Sequence, residues 1–150
     1  MQYFRVVGIA LVTLAMASCA TSKAKSQLLG RWEVKGGTQI ASIEFKSDGS
    51  LVLGGNTSAL PDWKVIRLFR DFNLKPARNS LTYTVVDKDH LEIQVDYTRL
   101  LDGLSAGGKS GAASKPPDAR PKELVTFTVA GDELTLSSDD GTTTAFRRAE

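Results

Sequence analysis

The segment Leu28–Val34, Leu-Leu-Gly-Arg-Trp-Glu-Val, opens the part of the chain that is expected to fold. Gly30 carries no Cβ atom, so the backbone can approach a neighbouring strand closely at this point. Two residues later, the indole of Trp32 is large enough to fill one end of a small core. Alternation along a strand from Gly30 to Lys35 places Trp32 and Val34 on one face. We therefore expect the fold to be organised around a first strand that carries Trp32.

The residues before this segment predict export. Arg5 supplies a short positive region, and residues 6–17 form an apolar run of the length found in signal peptides. That run is too short to span a bilayer comfortably. Cys19 is the only cysteine of the chain, so an intramolecular disulfide is excluded and the core alone must hold the fold.

Ala17 and Ser18, two small residues directly before Cys19, resemble the lipobox of bacterial lipoproteins, although Met16 stands where leucine is most frequent. In that family the cysteine thiol receives a diacylglyceryl group, and the preceding peptide is removed. The resemblance implies a signal peptide and lipobox over residues 1–19 and lipidation of Cys19. Because Ala20 rather than aspartate follows, it also implies an outer-membrane location facing the periplasm. The alternative is an ordinary secretory signal peptide, cleaved after Ala17 or Ala20, in which Cys19 is incidental.

Residues 20–27 are small and polar, and they are predicted to form a tether between the membrane and one domain over residues 28–150. A chain of 150 residues is short enough for a single domain. Its 19 basic and 17 acidic residues leave a net charge of +2. This near balance argues against a dedicated nucleic-acid-binding protein, which usually carries a strong basic excess.

Alternating apolar and polar residues, separated by turn sequences, predict antiparallel β-strands through most of the domain. A weak internal repeat, residues 81–95 and 125–136, has the form of two hairpins, and Ser47–Ser50 predicts the turn of another. The predicted strands are 30–35, 42–46, 51–53, 81–85, 91–95, 125–129, 134–136 and 142–148. A meander of these strands predicts an all-β fold, a small β-barrel with one short helical insert.

That insert is expected between Leu60 and Leu74, where the period of the sequence changes. Pro61 and Asp62 are typical of a helix start, and apolar residues then follow helical spacing. These apolar residues are Val65, Leu68, Phe69 and Phe72, and the basic residues Lys64, Arg67 and Arg70 occupy another face. A strand over residues 64–69 is the alternative.

Residues 102–122 also depart from the strand pattern. They are rich in glycine, serine, alanine and proline. Such a stretch cannot bury enough apolar surface to order itself. It is predicted to be a flexible surface loop between two strands.

Gly30-x-Trp32 near the first strand, the run of hairpins and an arginine in the last strand together resemble the bacterial lipocalin-like (calycin-type) lipoproteins. In that family the tryptophan closes one barrel end and the terminal arginine packs over its ring, in cation–π geometry. Alternation from Phe146 places Arg148, rather than Arg147, on the inner side. The resemblance thus assigns barrel closure to Gly30, Trp32 and Arg148. It spans residues 28–149 apart from the helical insert and the glycine-rich loop.

The resemblance implies a lipid-anchored, non-enzymatic cell-envelope protein that binds a small apolar ligand in its barrel. Phe45, Tyr83 and Phe127 are the candidate ligand-binding residues. The alternative is a filled barrel that acts as a protein-interaction or envelope-stress module, through the basic helix or the loop. The expected partners are the membrane, by way of the N-terminal lipid, and either a small hydrophobic ligand or an envelope protein, but not nucleic acid.

No pattern in the sequence predicts catalysis, a cofactor or a metal. The single histidine, His90, lies in a predicted turn with Asp87 and Asp89, where such carboxylates are usually just solvated. The sequence contains no His/Cys cluster with zinc spacing and no Gly-x-Ser-x-Gly motif. We therefore expect a protein that is not an enzyme.

Overall fold

The computed structural model describes residues 20–36, 41–71, 80–96 and 122–150. Eight antiparallel strands form a closed barrel, in which each strand pairs with its neighbours in sequence and the last pairs with the first. The strands are β1 (Gly30–Val34), β2 (Ala41–Phe45), β3 (Ser50–Gly55), β4 (Leu81–Val85), β5 (His90–Val95), β6 (Lys122–Ala130), β7 (Glu133–Ser138) and β8 (Thr143–Arg148). The predicted all-β barrel is confirmed. The signal peptide with Cys19 and the predicted loop, apart from Lys122 in β6, lie outside the described residues.

Alternating burial along the strands separates the inside of the barrel from its outer surface. In β5 every second residue from Leu91 is buried, and β6 and β7 show the same period. The buried apolar strand residues form one core: Trp32, Ala41, Ile43, Phe45, Leu51, Leu81, Tyr83, Leu91, Ile93, Val95, Val125, Phe127, Leu134, Leu136 and Phe146. Burial of these side chains is the main favourable term that holds the barrel together.

The insert between β3 and β4 is helical, as its spacing predicts, and the strand alternative is wrong. A short 3-10 helix at Thr57–Ala59 precedes an α-helix, Lys64–Asp71, which we call α2. Val65 and Ile66 are buried, whereas Lys64 and Arg67 are exposed. Leu68, Phe69, Arg70 and Phe72, also assigned to its faces, have side chains outside the described part of the structure.

Residues 20–28 differ from the predicted tether, because they are helical and pack on the barrel. We call this helix α1. Ala24 and Leu28 lie one helical turn apart and are both buried in the core. The Lys25 Nζ atom donates a hydrogen bond to the Ser47 carbonyl oxygen at 3.0 Å. The polar residues of this segment therefore cover one face of a packed helix, and the folded unit includes residues 20–27.

The two helices lie at opposite ends of the barrel, because successive turns of an antiparallel meander alternate between its ends. Turns 46–49, 86–89 and 131–132 share one end with α1, which we call the α1 end. α2 packs against β5 and β6 at the other end, the α2 end, together with turn 139–142. Among the described residues, neither helix has the length and apolar character needed to cross a bilayer.

Candidate functional site

Trp32 and Arg148 meet at the α1 end, where β1 and β8 pair to close the barrel. The two residues are direct partners in the register of these strands. The Arg148 Cζ atom lies 4.2 Å from the centroid of the Trp32 ring, which is cation–π distance. Trp32 is fully buried, whereas Arg147 is exposed on the outer surface. The contact between the terminal arginine and the tryptophan that the resemblance implies is therefore present, and it is made by Arg148, the residue that alternation selects.

Arg148 and Trp32 also bind the C-terminal end of α1. Arg148 Nη2 donates to the Gln27 carbonyl oxygen at 3.1 Å, and Nη1 donates to the Leu29 carbonyl oxygen at 3.0 Å. Trp32 Nε1 donates to the Leu28 carbonyl oxygen at 2.8 Å. The last carbonyls of a helix lack partners within it, and a cation is favourable there. The pair therefore joins the barrel closure to the N-terminal helix.

Gly30 leaves the space that the Arg148 guanidinium occupies. Its φ of +115° lies in a region that residues with a side chain rarely adopt. A Cβ atom at residue 30 would lie 3.2 Å from Arg148 Nη1, which is closer than ordinary contact. The three residues assigned to barrel closure therefore lie together. Because Gly30 has no side chain, the Arg148 guanidinium can pack close to the backbone of β1.

Replacing Arg148 with methionine keeps an unbranched side chain but removes the charge and the hydrogen bonds to the Gln27 and Leu29 carbonyl oxygens. We expect unfolding free energy to fall by about 1–3 kcal/mol, because hydrogen bonds from charged donors contribute this much. Urea denaturation followed by circular dichroism measures the change. Arg147→Met is the matched control, since Arg147 is exposed one residue away, and we expect a change within about 0.5 kcal/mol. Equal effects of the two substitutions would contradict the capping role.

The candidate ligand-binding residues Phe45, Tyr83 and Phe127 are each at most 4% exposed and belong to the core. The Phe45 and Tyr83 rings pack edge to face, with centroids 5.0 Å apart. The Tyr83 hydroxyl donates to the Lys46 carbonyl oxygen at 2.8 Å. Burial, with a smaller effect of the Asp48 charge, raises the pKa of Tyr83 to about 12. Phe45 and Tyr83 are therefore in contact. Phe127 lies on β6, two strands away from Tyr83 on β4.

Two polar groups at the α2 end were not identified from the sequence. Glu123 is buried, and its Oε2 atom accepts a hydrogen bond from the Lys64 backbone N–H at 3.0 Å, at the start of α2. Trp63 is also buried, and its Nε1–H has no hydrogen-bond partner within the described structure. The phase of β6 could have indicated Glu123, since it alternates inward with Val125 and Phe127.

Asp87, Asp89 and His90 lie together in the exposed turn between β4 and β5. His90 Nδ1 is 2.9 Å from Asp87 Oδ1 and 3.0 Å from Asp89 Oδ1. Asp87 Oδ1 also accepts the backbone N–H groups of Asp89 and His90, at 3.0 and 2.8 Å. Backbone donation from Asp89, followed by the His90 contact, lowers the pKa of Asp87, and the hydrogen bond with Asp87 raises the pKa of His90. The cluster has the form of a hydrogen-bonded turn.

We expect NMR titration to place the pKa of His90 above its ordinary value of about 6.5. Because the pKa of His90 is higher in the folded than in the unfolded protein, protonation of His90 stabilises the folded state at pH values below the unfolded-state pKa. This contribution is lost as the pH rises through the folded-state pKa. The lowered pKa of Asp87 stabilises the fold above about pH 4, and this contribution is lost in acid. The interaction therefore contributes most between about pH 4 and 6.5.

Asp87→Asn should return the pKa of His90 toward its ordinary value, because it removes the carboxylate that accepts from the ring. Asp139→Asn is the control, since Asp139 lies in an exposed turn at the opposite end. A parent protein whose His90 titrates at the ordinary value would contradict the assignment.

Comparison of the chain with protein-family models, with curated proteins and with solved structures gives no match in any of the three. The resemblance to bacterial lipocalin-like lipoproteins therefore rests on the residues quoted for it. The closed eight-stranded barrel agrees with the fold that this resemblance implies.

Proposed function

We propose that this protein is a lipid-anchored, non-enzymatic component of the bacterial cell envelope whose filled barrel works through its outer surface. Cys19, preceded by Ala17 and Ser18, is the proposed lipidation site, and the periplasmic face of the outer membrane is the proposed location. Two acyl chains are sufficient for stable anchoring, whereas one is marginal. The sequence offers no catalytic constellation that would favour an enzyme.

The observation that carries this proposal is that the protein's own side chains occupy the barrel interior. Eight inward positions could line a ligand cavity: Ile43, Phe45, Tyr83, Val85, Ile93, Phe127, Val129 and Leu136. Six of these residues are buried, and Val85 and Val129 pack against the same core. An eight-stranded barrel is wide enough either to be filled by its own side chains or to hold one small ligand, so burial of the inward residues, and not the number of strands, favours the filled barrel.

Both ends of the barrel are also covered. α1 contributes Ala24 and Leu28 to the core, and α2 contributes Val65 and Ile66. A ligand in the interior would have to displace packed side chains and one of these helices. The geometry therefore favours surface interactions with an envelope component over carriage of a ligand between Phe45, Tyr83 and Phe127.

A small apolar ligand remains the second candidate, and Trp63 is the observation that favours it. Buried N–H groups are nearly always hydrogen-bonded, and the Trp63 Nε1–H lacks an acceptor within the described residues. A ligand that carries one acceptor would satisfy this donor. Such a ligand would bind at the α2 end.

Native mass spectrometry separates the two candidates. The domain from Ala20 onward, purified gently from a bacterial periplasm, is expected to show the mass of the bare chain. An added mass that disappears on denaturation would contradict the filled barrel and identify a ligand. Trp63→Phe, which keeps an aromatic ring but removes the donor, should then abolish the added mass if the ligand binds at the α2 end.

A further inference from the structure

We propose that the α1 end of the barrel is its membrane-facing end, held directly against lipid headgroups by the anchored N-terminus. This inference rests on the proposed lipidation of Cys19. It goes further, because it gives the domain one orientation on the membrane. The α2 end then points into the aqueous compartment, where it is accessible to partners.

α1 is attached to the barrel by contacts that extend from Ala24 to its C-terminal end. Ala24 and Leu28 are buried. The Lys25 Nζ atom donates to the Ser47 carbonyl oxygen and lies 5.9 Å from the centroid of the Tyr83 ring. At the other end of α1, Arg148 and Trp32 bind its last carbonyls. These contacts hold the helix against the barrel, unlike a flexible tether.

Four residues, 20–23, separate Cys19 from Ala24, the first buried residue of α1. Ala20 is helical and, with a rise of about 1.5 Å per residue, lies about 6 Å along the axis from the buried Ala24. Cys19 precedes Ala20 by one peptide bond, which adds about 3.8 Å between Cα atoms. An acylated Cys19 would therefore lie within about 10 Å of a core residue of the α1 end. An extended tether over residues 20–27 would instead have allowed up to about 28 Å.

The α1 end presents both apolar and charged side chains to solvent. Val86 is 53% exposed in the turn between β4 and β5, and the side chain of Lys88 beside it is 79% exposed. Lys23 of α1 is exposed as well, but Asp87 and Asp132 of the same end carry opposite charge. A surface of mixed charge does not select anionic lipids strongly. The orientation is therefore imposed by the covalent anchor, with Val86 and Lys88 at the headgroup layer.

The test uses the full chain, processed with its own signal peptide, isolated from membranes and reconstituted in phosphatidylcholine vesicles. Acylation consumes the only native cysteine, so an introduced cysteine is the single free thiol. A fluorophore is attached at Lys88→Cys or, as the matched control, at Asp139→Cys in the exposed turn of the α2 end. A contact-range quencher is attached to the lipid headgroups. We expect several-fold stronger quenching at residue 88 than at residue 139, because strands of about six residues, tilted as in a closed barrel, separate the ends by about 15 Å.

A second variant inserts a flexible Gly/Ser segment between Cys19 and Ala20. Quenching at residue 88 should fall toward the value at residue 139, while the protein stays on the vesicles. Adding phosphatidylglycerol should leave the ratio of quenching at the two positions unchanged. Quenching at residue 88 that persists with the inserted segment, or that rises strongly with phosphatidylglycerol, would overturn the claim that the short rigid connection sets the orientation.

Mass spectrometry of the reconstituted protein distinguishes failure of this inference from failure of the proposed function. Equal quenching at residues 88 and 139 in a protein that carries the acyl mass would overturn the orientation and leave the anchoring intact. Absence of the acyl mass from Cys19 would overturn both.

Discussion

Trp32→Ala is expected to lower the unfolding free energy by about 3–5 kcal/mol, the range for removal of a buried tryptophan. Trp32 is fully buried, so its truncation leaves a cavity at the barrel closure. The substitution also removes the donor to the Leu28 carbonyl and the ring beneath the Arg148 guanidinium. Small domains have a total stability of about 5–15 kcal/mol, so a substantial fraction of it depends on this one side chain.

Equilibrium urea denaturation followed by far-ultraviolet circular dichroism measures this effect, since the readout does not depend on the tryptophan that is removed. Leu124→Ala on β6 is the control, because Leu124 is 42% exposed, and it should cost about 1 kcal/mol or less. Trp32→Phe retains a ring but loses the hydrogen bond to α1 and should fall between the parent and the alanine variant. A Trp32→Ala protein that unfolds at the parental urea concentration would reject the closure role.

Cys19→Ser is expected to move the protein from the membrane fraction to the soluble periplasmic fraction and to abolish acyl labelling. A serine hydroxyl cannot replace the thiol that receives the diacylglyceryl group in the lipoproteins that this segment resembles. The lipid on Cys19 is the proposed membrane anchor, and two acyl chains are sufficient for stable anchoring. With the lipid absent, we therefore expect a loss of membrane association that is close to complete.

Fractionation of cells, combined with labelling by a radioactive or clickable palmitate, gives both readouts in one experiment. Ser26→Ala is the matched control, because Ser26 lies on the exposed face of α1 outside the lipobox, and its fractionation should equal that of the parent. Membrane association of Cys19→Ser at the parental level would reject the anchor and leave an ordinary secretory signal peptide as the alternative.

Several features of the barrel could be predicted from the sequence because they depend on local periodicity. A strand alternates its side chains with period two, so Trp32 could be placed inside and Arg148 could be preferred over Arg147. A helix repeats with period 3.6, so the change of period after Leu60 predicts α2. The inward phase of Phe45, Tyr83 and Phe127 follows from the same rule, and all three are buried.

Other features were decided by contacts between residues far apart in the chain. Residues 20–27 have a polar composition, and only Ala24 joins Leu28 of the same helix in the core. α1 is held there by Ser47 and by Arg148, more than a hundred residues away. Composition could not predict this helix, because the Lys25 side chain and the carbonyl groups at its C-terminal end bond to groups that only the closed barrel brings near.

The sequence by itself determined the approximate positions of the strands and their inward faces, because backbone geometry imposes these periods locally. The residues at the barrel closure were assigned by the resemblance to lipocalin-like lipoproteins, and alternation chose Arg148 over Arg147. Only the tertiary structure decided that α1 covers one end, that Glu123 accepts a hydrogen bond from the backbone N–H at the start of α2, and that the inward side chains are buried in one core. Whether inward side chains enclose a cavity or meet one another depends on the pairing of β1 with β8 and on the helices at both ends. No local sequence pattern predicts whether a cavity is present, because this depends on the distances between strands in the closed barrel.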